Sequence, residues 1–204
     1  MAQAMNRLLV ALLLLLSHPV LSQNWKLEKD KDNIKVYTAD SKNNSFKLVK
    51  VEATIPGTYA KLISVLTNVD EFSKWIYHNK FCRLIKKITA YDFIYYSEIE
   101  MPWPVSNRDV LIHLQIKTDS LPHFMTVTGR AEKGIIPEIP TKVRVPLYIA
   151  NWKVTAPAPN KLQISYTLEL DPGGSLPAWV VNSFAEKGPF GTFSNLAKLL
   201  SGAR

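Results

Sequence analysis

The sequence predicts an α+β domain in which a curved antiparallel sheet holds one long C-terminal helix. Three observations carry this. Four stretches between Phe81 and Gly129 read as strands, mostly by alternation of apolar and polar residues, and short connections join them, as in an antiparallel meander. The helical patterns are segregated from them: two short ones precede the meander and one long one ends the chain. A Pro-Gly-Gly break within Asp171 to Leu176 separates the last strand from that helix.

Taken in order, Trp25 to Thr38 reads as a short strand, a turn at Asp30 to Asn33 and a second strand, Ile34 to Thr38. Phe46 to Ile55 alternates and forms the third, which Pro56 and Gly57 end. Thr58 can cap a helix with Leu62, Ile63 and Leu66 on one face. A second short helix, Val69 to Tyr77, presents Phe72, Trp75 and Ile76. Strands Phe81 to Thr89, Asp92 to Met101, Arg108 to Lys117 and His123 to Gly129 follow. Ala131 to Pro146, with Pro137, Pro140 and Pro146, is a covering loop ending in an extended piece at Lys142 to Val145. Asn151 to Thr155 and Leu162 to Leu170 form a last hairpin around Pro157 to Asn160. Pro177 suits the first turn of the final helix. Trp179, Val180, Ser183 and Phe184 share one face of it, and Phe190, Phe193, Leu196, Ala197 and Leu200 continue an apolar stripe. Gly188 and Pro189 predict a kink or break.

The first 22 residues read as an export signal rather than as fold. Arg7 precedes the unbroken apolar run Leu8 to Leu16, and Val20 and Ser22 occupy the positions that a signal peptidase reads, which places cleavage after Ser22. The run is far shorter than the roughly 20 apolar residues of a membrane helix, and no cysteine follows it to take a lipid. The mature chain, residues 23–204, is then one soluble domain, periplasmic or extracellular and monomeric. Its lysines are scattered apart from Lys80, Arg83, Lys86 and Lys87, and the net charge of +8 for the whole chain permits contact with an anionic membrane surface. No Arg-rich helix or zinc spacing points to nucleic acid. The single cysteine, Cys82, sits in an apolar run and reads as a small buried hydrophobe. Asn43-Asn44-Ser45 matches a glycosylation acceptor, a short and weak signal.

The most informative stretch is Met101 to Asp109, read as Met-Pro-Trp-Pro-Val-Ser-Asn-Arg-Asp. Pro102 and Pro104 cannot donate to a sheet ladder and so end a strand, while Ser106 and Asn107 form turns. The result is a hairpin with a stiff corner bearing Trp103, and with Arg108 and Asp109 opening the second strand. Arg108 is expected to brace that corner through Asp109 or backbone carbonyls. This phrase, with Val143 to Pro146 and Asp171 to Asn182, resembles START domains, the steroidogenic-acute-regulatory-protein-related lipid-transfer family, in an exported bacterial form. The resemblance spans nearly all of Trp25 to Leu200. It implies the helix-grip fold shared with Bet v 1-like proteins.

Strand parity selects the inward residues. The sets Phe93, Tyr95, Ser97, Ile99, Met101; Val110, Ile112, Leu114, Ile116; and Leu162, Ile164, Tyr166, Leu168, Leu170 each fall on one face, to which Trp152, Val154 and the helix residues Val180 and Phe184 add. Periodicity alone makes these a filled core. The resemblance implies instead an elongated apolar cavity that binds a lipid or other hydrophobic small molecule. Its lining would include Tyr95, Ser97, Ile99, Val110, Ile112, Leu114, Trp152, Tyr166, Leu168, Val180 and Phe184. Some members of the family place a charged residue on the strand after the Arg-Asp pair. This chain has Ile112, Leu114 and Ile116 there, which favours a mostly apolar ligand. Release would need the C-terminal helix or the Ala131 to Pro146 loop to move.

No catalytic residue, metal or cofactor is expected. His78, His113 and His123 share no ligand spacing, and no nucleophile or phosphate-loop motif occurs. Glu98 and Glu100 fall on the outer face. Two alternatives stay open: an enzyme of the same superfamily, a cyclase or hydrolase acting on a polyketide-like or aromatic substrate, and an adaptor without a ligand.

Overall fold

A computed structural model describes residues 23–41, 46–176 and 178–202. The expected export signal, the Asn43-Asn44-Ser45 acceptor, Pro177, and the side chains of Trp179 and Ser183 lie outside the described residues.

The chain forms β1 (Lys26–Lys31), β2 (Ile34–Asp40), β3 (Lys47–Pro56), α1 (Tyr59–Thr67), a 3-10 helix (Val69–Lys74), β4 (Asn79–Lys87), β5 (Asp92–Ile99), β6 (Arg108–Lys117), β7 (Met125–Ala131), β8 (Val143–Arg144), β9 (Leu147–Ala158), β10 (Lys161–Asp171) and α2 (Ala178–Ser201). The strands make one ten-stranded sheet in the order β1-β2-β3-β10-β9-β7-β6-β5-β4, with β8 beside β6. This is the helix-grip arrangement: a curved antiparallel sheet with α2 against its inner face and contacts from α2 to β1, β2 and β3. Irregular pairings in β1, β4 and β10 mark points where the strands can bend.

Local chemistry explains most boundaries. Asp32 and Asn33 both take positive φ, 54° and 59°, the conformation that a two-residue hairpin turn requires. The Thr58 hydroxyl accepts from the Lys61 amide at 3.3 Å and caps α1, which buries Leu62 and Leu66. The second helix differs from the expectation: it is a 3-10 turn of six residues, because so short a segment gains too little from α-helical bonds. It still buries Phe72, and its capping residue Trp75 is buried with it; Phe72 meets Trp75 and Tyr95 edge-on at 5.5 and 5.1 Å.

Of the kink or break expected at Gly188 and Pro189, the break is absent: α2 is a single helix running through Pro189. A second expectation is corrected outright. The Ala131 to Pro146 segment does not cover the inner face. Its Ile136 and Ile139 pack on Ile94, Tyr96 and Leu111, on the outer side of the sheet. The cause is an uncovered edge. β7 pairs with β6 only from Ile112 to Lys117, and β8 runs parallel to Arg108 and Asp109, occupying the part of β6 that β7 leaves free. Only the two ends of the segment, Ala131 and Val145, reach the main core.

Candidate ligand-binding cavity

Between the sheet and α2 lies a continuous cavity of about 250 Å³. Its walls are predominantly apolar, and its size falls just below the roughly 300–1,000 Å³ typical of small-molecule sites. β5 contributes Tyr95, Ser97 and Ile99; β6 contributes Val110, Ile112 and Leu114; β10 contributes Tyr166 and Leu168. Trp152 enters from β9, and Val180 and Phe184 from α2. The structure thus brings the side chains expected to line a cavity onto one wall or another of the same space, while Phe93, Ile116, Val154, Leu162 and Ile164 of the same parity sets pack in the filled core outside it.

Others line it that sequence reasoning did not select. Tyr148 shares the parity of Trp152, but β9 begins at Leu147, earlier than the apolar pattern at Asn151 indicates. Phe72, Trp75, Ile76 and Tyr77 close the cavity from the 3-10 segment and the turn after it. These were visible as an apolar face, though not as cavity wall. Trp103 is not part of the cavity: it stands 91% exposed at the tip of the β5–β6 corner. There the Asn107 side chain accepts from the Met101 amide at 3.1 Å and donates to Glu98 at 2.8 Å.

Of the two kinds of partner expected for Arg108, it takes backbone carbonyls and not Asp109. Neighbours on a strand point to opposite faces, so the two cannot brace each other. Asp109 faces outward and accepts from Arg144 Nε at 2.8 Å and Nη2 at 3.0 Å. Beside it, Glu98 is held by Lys142, which also donates to the Tyr96 hydroxyl at 3.1 Å. These outward carboxylates fasten the 131–146 segment. Arg108 faces inward and lines the cavity, donating from Nη1 to the Ser106 carbonyl at 2.5 Å and from Nη2 to the Gly173 carbonyl at 3.2 Å.

The polar groups within are otherwise mostly neutral. Ser97 Oγ accepts from Asn79 Nδ2 at 2.6 Å, and Cys82 Sγ donates to Asn79 Oδ1 at 3.3 Å. Burial pushes the Cys82 thiol up, away from the reactive thiolate. Burial also pushes the Tyr148 phenol up to about 12, against the opposing effect of its bond with Tyr166. Tyr95 and Tyr166 are raised by the same cause. All three are hydrogen-bond donors at neutral pH rather than bases. His113 lies elsewhere, bridging Asp92 at 2.6 Å and Glu132 at 3.2 Å. Among the described residues, no group of three or more His, Cys, Asp or Glu could hold a metal ion, and no helix is long and apolar enough to cross a membrane.

The model of the START domain family matches residues 11–201. An uncharacterized protein of Pseudomonas aeruginosa is 33% identical over 177 residues, covering 86% of each chain. The phosphatidylcholine transfer protein of Mus musculus is 24% identical over 169 residues, covering 81% of this chain and 78% of that one. Among solved structures, the STAR-related lipid transfer protein of Xanthomonas axonopodis has a TM-score of 0.78 and 28% identity, covering 87% of this chain and 98% of that one.

Proposed function

We propose that this chain, which belongs to the START domain family, binds a lipid or other hydrophobic small molecule between its sheet and α2. The observation that carries this is the continuous apolar cavity beneath α2. The names of two relatives, a phosphatidylcholine transfer protein and a STAR-related lipid transfer protein, support a lipid as cargo. Residues 1–22 direct export and are removed after Ser22, and the mature domain works as a monomer in the periplasm or outside the cell. The basic balance of the chain, a net charge of +8 of which only Arg7 falls in residues 1–22, supports transient docking on anionic membranes and transfer between them. Because the 131–146 segment is fastened to the outer face, cargo exit falls to α2 and the linker before it.

A catalytic reading has weaker support. Burial raises Tyr95, Tyr148 and Tyr166 further from neutral pH, and the lining side chains of the described residues include no carboxylate or histidine to exchange a proton. Native mass spectrometry of the protein purified from its cellular source, followed by organic extraction, tests the proposal. We expect a chain beginning at Gln23 that carries one lipid adduct. A bare protein that also takes up no lipid from phosphatidylglycerol-containing vesicles refutes it.

A further inference from the structure

The polar groups of the cavity are unequally satisfied. Ser97 has Asn79 as partner. Arg108 is different. It is 3% exposed, it lines the end of the cavity near Pro172 and Leu176, and its Nε has no hydrogen-bond partner. Its two protein acceptors are neutral carbonyls, at Ser106 and Gly173. The nearest carboxylate in sequence, Asp109, is taken by Arg144 on the other face. Among the described residues that line the cavity there is no Asp or Glu, and the one other cation, Lys47, lies 3.3 Å from Asp40.

Arginine stays protonated in proteins, so this end of an apolar cavity carries a buried positive charge with no counter-charge. Burial pushes the guanidinium down from its ordinary value, which reflects the same imbalance. Nε and Nη2 form one edge of the fork, the edge that takes a carboxylate or phosphate with two parallel bonds; of the two, Nη2 donates to the Gly173 carbonyl and Nε has no partner. We infer that Arg108 is the head-group anchor of the cavity and that the ligand is an amphiphile with one anionic group, a carboxylate or a phosphate, on an apolar chain. This rests on the proposed lipid-binding function and replaces the expectation of a mostly apolar ligand. That expectation stopped at Ile112, Leu114 and Ile116, whereas Arg108 occupies the same parity at the start of the strand.

The test compares three probes of one chain length on delipidated protein: palmitate, 1-palmitoyl lysophosphatidate and neutral 1-hexadecanol. Binding is followed by the fluorescence of Trp75 and Trp152, which line the cavity. At least one anion should bind roughly ten-fold or more tightly than hexadecanol, the low end of what a hydrogen bond to a charged group contributes. Whichever anion is preferred distinguishes carboxylate from phosphate. Arg108→Gln should abolish the preference while hexadecanol affinity stays within about three-fold, a smaller change than the charge effect itself. Arg108→Lys keeps the charge without the two-bond edge and should reduce the preference. If Arg108→Gln gives no cooperative thermal transition, the wild-type preference and its reduction in Arg108→Lys decide. Equal binding of all three probes by the wild type, or a preference undiminished by the substitutions, overturns the anchor but leaves the lipid-binding function standing. Failure of all three probes to bind overturns both.

Discussion

At the scale of single residues, two outward carboxylates decide where the 131–146 segment lies. Glu98 is 6% exposed, yet its carboxyl is held below the ordinary value of 4.5. Burial alone would raise it; the hydrogen bonds from Lys142 and Asn107, with the charges of Lys142 and Lys80, outweigh that. Lys142 is correspondingly raised, chiefly by its bond to Glu98. A carboxyl depressed on folding contributes stability that is present above its unfolded pKa and lost as pH falls through the folded one. A raised lysine contributes below its unfolded pKa and loses it as pH rises through the folded one. The pair therefore holds across neutral pH and weakens in acid below about 4.5 and in base above about 10.5. Glu98→Gln should destabilise the protein at pH 7 by about 3 kcal/mol, because it leaves Lys142 without its buried counter-charge. Urea midpoints for wild type and variant should converge as pH is lowered from 5 towards 3. A gap that stays constant over that range would mean that the ion pair does not fasten the segment. None of these pairings was legible in the sequence. Parity placed Glu98 outward, but the partner Lys142 is 44 residues away on a segment whose path no periodicity records.

The elements themselves were largely legible, and the misreadings have physical causes. The alternation of β6 gave its limits, Arg108 and Lys117, because one of its faces is buried along the whole length. Most of the parity sets of β5, β6 and β10 border the cavity for the same reason, while Phe93, Ile116, Leu162 and Ile164 pack in the filled core. The break expected at Gly188 and Pro189 does not occur, although proline removes one backbone donor and ordinarily bends or ends a helix. Here the flanking turns are pinned from the 3-10 side. The Thr192 hydroxyl accepts from the Tyr77 amide at 3.1 Å, and Asn195 donates to the Trp75 carbonyl at 3.2 Å. Lys61 reaches the Leu200 carbonyl and caps the far end. Gly191 permits this contact: a Cβ there would lie 2.5 Å from Tyr77 Cδ2. Gly191→Ala gains about 1 kcal/mol of helix propensity and loses about 1–3 kcal/mol to overpacking against a ring already in place. We expect a net loss of stability in thermal melts, partly restored by the double variant with Tyr77→Leu. A simple gain from Gly191→Ala would show that Tyr77 moves freely and does not fix α2.

For the whole molecule, the cavity sets stability against function. Interiors are normally packed to crystalline density, and space left open forfeits the contacts that would fill it. The sheet grips α2 through Leu196 and Leu200, both nearly inaccessible, while Val180, Phe184 and Phe193 line the open space. Sequence periodicity cannot separate these two sets, since a filled core and a lined cavity use the same apolar side chains in the same register. Their difference is one of volume, and only the three-dimensional arrangement sets it. Filling the space should therefore exchange binding for stability. Leu168 is half-buried on β10, opposite Ala150 of β9, and its side chain borders the cavity. Leu168→Phe puts a ring where a ligand would lie, and gains on the order of 1 kcal/mol in the empty protein from added apolar burial. A ligand at 100 times its dissociation constant stabilises the wild type by about 2.7 kcal/mol through mass action. Thermal melts of delipidated protein with and without palmitate or hexadecanol should thus show a higher Tm for the empty variant. They should show a larger ligand-induced rise for the wild type. If Leu168→Phe is as strongly stabilised by ligand as the wild type, the ligand occupies some other place. If it is less stable than the wild type when empty, the space is already filled there and the wall at Leu168 is ordinary core.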